Sequence, residues 1–220
     1  MQIESYIDHT ILKPSATLGE VEHLCEEAIT YGFAAVCVPP FYVKAAKQIL
    51  QNTPVKVATV IGFPFGYSST KSKIQEVQDA LADGADEIDM VHNLAALKNN
   101  DWTFLSKEMA QILVPIRLND KALKVIIESG ILTDTEIIRS CELYAKHRVD
   151  FVKTSTGYAE KGASLEAVQL MRAHLPESIQ IKASGGIRSY EAAAAYVAAG
   201  ASRIGASASV QIAKGQRKNM

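Results

Sequence analysis

The sequence predicts an α/β protein built as a single (β/α)8 TIM barrel over residues 1–220, and three observations carry that prediction. The chain is near the short end for eight βα units and too short for two ordinary α/β domains. Short β-rich runs alternate with amphipathic helical stretches from end to end, the pattern of a parallel sheet with helical crossovers. No Pro/Ser-rich linker, low-complexity segment or shift in composition marks a second domain.

The β-rich runs begin near Tyr6, Ala34, Lys56, Glu87, Lys124, Phe151, Ile179 and Arg203. Their intervals approach the roughly thirty residues of a βαβ unit, and eight such units close a barrel. Local chemistry supports the helices between them. Thr133 and Glu136 make a capping box ahead of Ile137, Ile138, Cys141 and Tyr144, an apolar stripe at helical spacing. Ser164 caps the next helix. Gly32, Gly84 and Gly200 each end an apolar helical stretch just before a strand, as left-handed helix terminators do. The basic segment from Lys214 to Met220 reads as a frayed, solvated end.

Apolar residues make up 48% of the chain and charged residues 21%, enough to fill a core and too apolar for a disordered chain. The 23 Lys and Arg against 24 Asp and Glu leave no general positive field for nucleic acid or an anionic membrane, so any anion site is local. The stretch Met1 to Tyr6 has neither a basic n-region nor an apolar h-region, and no later apolar run is long enough to span a bilayer; a cytoplasmic location is expected. Cys25, Cys37 and Cys141 are odd in number and far apart without CxxC spacing, which argues for reduced thiols rather than disulfides or a zinc site. Cys25 and Cys141 sit in helical patterns as core filler.

Parallel strands covered on both faces normally read as unbroken Val/Ile/Leu runs, so an ionisable residue inside one requires a reason. Three runs break the rule: Glu87-Ile88-Asp89-Met90-Val91, Phe151-Val152-Lys153-Thr154-Ser155 and Ile179-Gln180-Ile181-Lys182-Ala183-Ser184. The interruptions lie toward the C-terminal ends, where barrels carry their active sites. Lys153 and Lys182 occupy matching places in consecutive strands, which brings their ammonium groups near each other if both point inward. A structural ion-pair network is the alternative reading. Against it, two lysines for one aspartate leave an unbalanced positive charge, which burial tolerates only if one lysine is neutral. At an ordinary pKa near 10.4 only about one lysine in a few thousand is free amine at pH 7, so a buried, depressed lysine gains reactivity toward carbonyls. Asp89 is then suited to moving the protons of imine and enamine chemistry.

Two further segments sit where barrels most often bind phosphate: Ser184-Gly185-Gly186-Ile187-Arg188-Ser189 after the seventh strand, and Gly205-Ala206-Ser207-Ala208-Ser209 at the eighth. Glycines there let backbone N–H groups approach an anion.

These residues resemble the deoxyribose-phosphate aldolases over nearly the whole chain. The matching stretches are Asp8-His9-Thr10 with Leu12-Lys13-Pro14, Gly62-Phe63-Pro64, Asp86-Glu87-Ile88-Asp89-Met90-Val91, Phe151 to Gly157, and Lys182 to Arg188. The resemblance implies reversible condensation of acetaldehyde with glyceraldehyde 3-phosphate to 2-deoxyribose 5-phosphate, a step of deoxyribose catabolism, with no metal and no organic cofactor. It implies Lys153 as the Schiff-base lysine, Lys182 as the lysine that perturbs it, and Asp89 as an acid/base working with water. Gly185, Gly186, Gly205 and Ser207 match phosphate-loop positions, while Asp8 and Thr156 match residues near the substrate. The partners expected are phosphorylated sugars and aldehydes, and the chain is compatible with a homodimer.

Several positions depart from the family pattern. His92 follows Val91 where Ile is usual, and the plainest reading is a surface or loop histidine. Tyr158 stands where some members place a phosphate-holding lysine, Ala208 replaces a serine, and the tail tyrosine of some members is absent. Cys37 matches a cysteine of other members and reads as buried filler that reactive aldehydes attack only if it reaches the barrel mouth. Two alternatives stay open: a Schiff-base barrel aldolase for another phosphorylated sugar, and a non-catalytic barrel that binds a sugar phosphate.

Overall fold

A computed structural model describes the backbone of residues 2–218 and the side chains of residues 2–216. Eight parallel strands form one closed barrel: β1 (Ile7–Thr10), β2 (Ala35–Val38), β3 (Lys56–Ile61), β4 (Glu87–Val91), β5 (Ala122–Ile126), β6 (Phe151–Lys153), β7 (Gln180–Ser184) and β8 (Arg203–Ala206). They pair in sequence order, and β8 returns to β1 through Ile7 opposite Ile204 and Asp8 opposite Gly205. Every strand starts within two residues of its expected position.

Helices α1 (Leu18–Tyr31), α2 (Val43–Ile49) and α3 (Thr70–Ala82) carry the first three crossovers, and α4 (Leu94–Lys98) with α5 (Trp102–Leu118) carries the fourth. Then come α6 (Asp134–His147), α7 (Leu165–His174), α8 (Tyr190–Ala198) and, after β8, α9 (Ser209–Lys218). The expected caps are present. Thr133 and Glu136 form a reciprocal capping box on α6, and Ser164 accepts from the Ala167 N–H at the start of α7. Gly32, Gly84 and Gly200 have φ of 69°, 99° and 111°, the left-handed conformation that turns each helix end into the next strand. No described helix is long and apolar enough to cross a membrane.

The C-terminal segment corrects an expectation: the backbone is helical through Lys218, where a frayed end was expected from Lys214. Its polar composition hides a helical spacing of buried groups. Ile212 and Ala213 are fully covered, and one turn later the Gln216 side-chain oxygen accepts the Ile3 N–H at 2.8 Å. That contact ties α9 to the short turn Ile3–Tyr6 ahead of β1. Asn219 and Met220 lie outside the described residues.

Strand alternation divides the molecule into two cores. Val36, Val38, Val57, Ile88, Met90, Leu123, Val125, Val152, Ile181, Ala183 and Ile204 join the helices in one continuous apolar cluster between barrel and helical ring. Each fully buried side chain of this kind stabilises by about 1.5–3 kcal/mol. The alternate positions meet inside the barrel. Cys37, Ala58 and Val60 form a small separate apolar cluster there, Phe151 lies against Lys124 and Arg203, and Asp8, Glu87, Asp89, Lys124, Lys153, Lys182 and Arg203 bring charge to the same interior.

Candidate active site

The charges inside the barrel form one connected network. Asp89 on β4 lies at its centre: its Oδ1 accepts from Lys124 Nζ at 2.8 Å, and its Oδ2 from Lys153 Nζ at 2.8 Å and Lys182 Nζ at 2.7 Å. Lys182 also donates to Asp8, whose other oxygen takes the Arg203 guanidinium at 2.6 Å. Glu87 closes the lower end, pairing with Lys124 at 2.5 Å and Arg203 at 3.1 Å. The sheet register dictates these meetings, since Asp89 lies opposite Lys124, Lys153 opposite Lys182, and Lys182 opposite Arg203.

The expected imbalance of two lysines against one aspartate is therefore corrected in its terms. Three carboxylates, Asp8, Glu87 and Asp89, face four cations, Lys124, Lys153, Lys182 and Arg203. One positive charge remains in excess. It does not fall evenly on the lysines. Burial opposes charge on Lys182, but Asp8 and Asp89 outweigh it and raise its pKa above the ordinary lysine value. Lys124 is raised too, with Asp89 and Glu87 overcoming burial. Burial lowers Lys153 below the ordinary value, with Asp89 opposing and Lys182 reinforcing the shift. Asp89 itself, despite burial, is held well below the carboxylate range by Lys124, Lys153 and Lys182. Desolvation therefore acts first on Lys153, and repulsion from Lys182 adds to it.

Within this network Lys153 alone lines the C-terminal cleft. This cleft, of about 400 Å³, opens at the C-terminal ends of β1, β6, β7 and β8, and Asp8, Asp89, Lys124 and Lys182 are wholly enclosed beneath it. Gly185, Gly186, Gly205, Ser207 and Thr156 line the same cleft, so all but Asp8, Asp89 and Lys182 of the sequence-predicted site residues reach it. Gly186 has φ 83° and nothing within 4 Å of where a Cβ would stand, so its backbone is open to a ligand. Gly205 has another reason to be glycine: a Cβ there would lie 3.0 Å from Lys182 Cε and 2.9 Å from Ser184 Cβ. Thr156 has its hydroxyl and N–H turned to the buried Glu128 carboxylate.

A profile for the DeoC/LacD family of aldolases matches residues 3–213. The chain belongs to that family. The deoxyribose-phosphate aldolase of Caldanaerobacter subterraneus subsp. tengcongensis is 47% identical over 99% of this chain and 95% of its own length. That of Thermococcus gammatolerans is 48% identical over 99% and 97%. Among solved structures, the deoxyribose phosphate aldolase of Aeropyrum pernix, described as a tetramer, superposes with a TM-score of 0.92 at 32% identity, covering 99% of this chain and 92% of that one.

Within this aldolase the departures from the family pattern take definite places. His92 is not at the surface: it is 1% exposed, its Nδ1 lies 2.9 Å from the Tyr144 hydroxyl, and burial together with the nearby Lys73 charge lowers its pKa to about 3. The loop leaving β4 turns that ring into the packing between β4, α3, α5 and α6, where Lys73 and Glu108 form a buried pair at 3.0 Å. Tyr158 lines the cleft and donates its hydroxyl to the Leu12 carbonyl at 2.8 Å, joining the loops after β6 and β1. Lys13 and Arg188 supply cations on the cleft wall. Cys37 is buried, and desolvation raises its thiol pKa.

Sequence reasoning missed Lys124, Arg203, Glu128 and the role of Glu87 in the network. Lys124 and Arg203 stand at or near strand starts, where a cation ordinarily meets solvent; only the pairing register shows that they lean inward. Glu128 carried a weak signal, an acid just past the Val125-Ile126-Ile127 run at the C-terminal end of a strand.

Proposed function

We propose that this chain is a deoxyribose-phosphate aldolase that cleaves 2-deoxyribose 5-phosphate to acetaldehyde and glyceraldehyde 3-phosphate through an imine on Lys153. The observation that carries this reading is that, within the buried charge network, Lys153 alone lines the cleft, and that it is the network lysine whose carboxylate partner does not make good the cost of burial. Its amine adds to the C1 aldehyde of the open-chain sugar, and the carbinolamine loses water to give an iminium. Removal of the C3 hydroxyl proton then breaks the C2–C3 bond. Its electron pair passes to the iminium, leaving an enamine on Lys153 and releasing glyceraldehyde 3-phosphate. Protonation of the enamine carbon and hydrolysis of the resulting iminium return the amine and acetaldehyde.

Asp89 and Lys182, 2.7 Å apart, form the acid/base pair of this reading, with water carrying protons between them and the substrate. The phosphate is assigned to the N–H groups of Gly185, Gly186 and Ser207 at the cleft wall, and Asp8 holds Lys182 from below. Such a substrate places the enzyme in deoxyribose catabolism.

The test is borohydride reduction in the presence of acetaldehyde, followed by peptide mapping. A two-carbon adduct is expected on Lys153, and Lys153→Ala should lose both adduct and turnover. An adduct on Lys182 would reverse the assignment of the two lysines. Product analysis with acetaldehyde, with glyceraldehyde 3-phosphate and with both together tests the substrate; only the pair should yield 2-deoxyribose 5-phosphate.

A further inference from the structure

The excess of one cation in the barrel interior raises the question of which groups decide where the neutral amine resides. Lys153 is faced by Asp89 from β4, Lys182 from β7, Cys37 from β2 and, beyond β5, Glu128. Lys124 is faced by Asp89 and Glu87 from β4, Asp8 from β1, Lys182 from β7 and the Phe151 ring from β6. The two lysines meet through Asp89. Lys124 holds Oδ1 and Lys153 holds Oδ2, each at 2.8 Å. Two ammonium nitrogens on the two oxygens of one carboxylate are no more than about 8 Å apart, and in a barrel interior repulsion over that distance changes a protonation ratio about tenfold or more.

We infer that Lys124 is a positioning residue that keeps Lys153 an uncharged amine, by occupying one oxygen of Asp89 and completing a balance of three anions against three permanent cations. The inference rests on the imine reading for Lys153. With Lys124, Lys182 and Arg203 charged, the carboxylates of Asp8, Glu87 and Asp89 are matched, and a proton on Lys153 would be surplus within this hydrogen-bonded network; the remaining carboxylate that faces it, Glu128, is engaged by the Thr156 hydroxyl and N–H, and burial raises its pKa. Removing Lys124 leaves two cations for three anions. Lys153 then becomes the missing cation, and Asp89 is free to give it both oxygens. Glu87 acts with the opposite sign, because it is the anion that Lys124 and Arg203 share at the lower end. Lys56 also reaches Glu87, at 3.2 Å, but it is half exposed and its charge is screened by solvent.

The experiment follows borohydride trapping of acetaldehyde on Lys153 as a function of pH in the native enzyme, Lys124→Met, Glu87→Gln and the double variant. Lys124→Met should move the profile to higher pH, with about tenfold less adduct at pH 7 and recovery in alkali. Glu87→Gln should move it to lower pH. The double variant, with charge balance restored, should return close to the native profile, and Lys124→Arg should stay closer to native than Lys124→Met. Loss of packing alone would lower the adduct at every pH without shifting the profile. An unmoved profile in Lys124→Met, or shifts of the same sign in Lys124→Met and Glu87→Gln, would overturn the inference. If Lys124→Met does not fold, Glu87→Gln decides alone: a shift to lower pH supports the inference and an unmoved profile overturns it. Absence of any Lys153 adduct in the native enzyme would instead overturn the imine reading beneath it.

Discussion

At the scale of single residues, two glycines on the cleft wall separate two kinds of function. Gly205 leaves room for the Lys182 stem, so Gly205→Ala should push the ammonium away from Asp89 and act on the chemical step. On the proposed mechanism the expected outcome is a fall in kcat of roughly tenfold or more with little change in KM, because displacing the ammonium assigned to proton transfer weakens the transition state selectively. Gly186 has open space around it but a left-handed backbone, so Gly186→Val should distort the loop whose N–H groups face the cleft. Steady-state kinetics should then show a higher KM for the phosphorylated sugar and a much smaller effect on unphosphorylated deoxyribose; equal losses on both would remove the phosphate assignment from this loop. Asp89, Lys153 and Lys182 were legible in the sequence because each interrupts an apolar strand. Lys124 and Arg203 were not, because a cation near a strand start is ordinary until the register of the neighbouring strand shows what it faces. Gly205 was legible as a glycine but not for its reason, which is the volume of a side chain on the next strand.

At the scale of elements, the parts of the fold that local chemistry controls were the most legible. Thr133 at the head of α6 accepts the Glu136 N–H, and the Glu136 carboxylate answers the Thr133 N–H at 2.8 Å. Glu136 also takes Lys98 at 2.8 Å, tying α6 to α4. Thr133→Ala should therefore lower the unfolding free energy by about 1 kcal/mol. Thermal unfolding should show a Tm lower by about 2–4 °C in a chain of this size, with kinetic constants unchanged because the cap is remote from the cleft. An unchanged Tm would mean that Glu136 alone sustains the helix start. The same box at Thr17 and Glu20 begins α1 with identical spacing, ahead of the buried stripe Val21, Leu24, Cys25 and Ala28, and was equally legible. In α9 the apolar signal was too sparse to read: among its described residues Ile212 and Ala213 are buried, Val210 packs partly against the core, and the buried end of Gln216 adds a polar tie.

At the scale of the whole molecule, the eight-unit count was legible because each unit repeats the same alternation, but closure fixes consequences that no single unit displays. It encloses charged side chains within the barrel and presses the neutral ring of His92 between barrel and helices. Both bear on stability as pH falls, in different windows. Asp8, Glu87 and Asp89, although opposed by burial, have folded pKa values below the ordinary ones because of the cations around them. Their stabilisation is fully present above the unfolded values near 4 and is lost only as pH drops through the lower folded values. His92 acts earlier. Its folded pKa of about 3 lies below the unfolded value of 6.5, so from pH 6.5 downward the unfolded chain takes up a proton that the folded one refuses. Stability should therefore decline between pH 6.5 and 4.5 by up to about 1.4 kcal/mol per pH unit from this group, before Asp8, Glu87 or Asp89 is protonated. His9 and His147, each lowered chiefly by burial, add to the same slope. His92→Asn keeps a hydrogen-bonding group near the Tyr144 hydroxyl and removes the titrating ring. Urea midpoints for this variant should start lower at pH 8, because a smaller side chain leaves a void, and should fall less steeply with acid, so that the two curves converge toward pH 5. Parallel curves would show that His92 is not the group that refuses the proton.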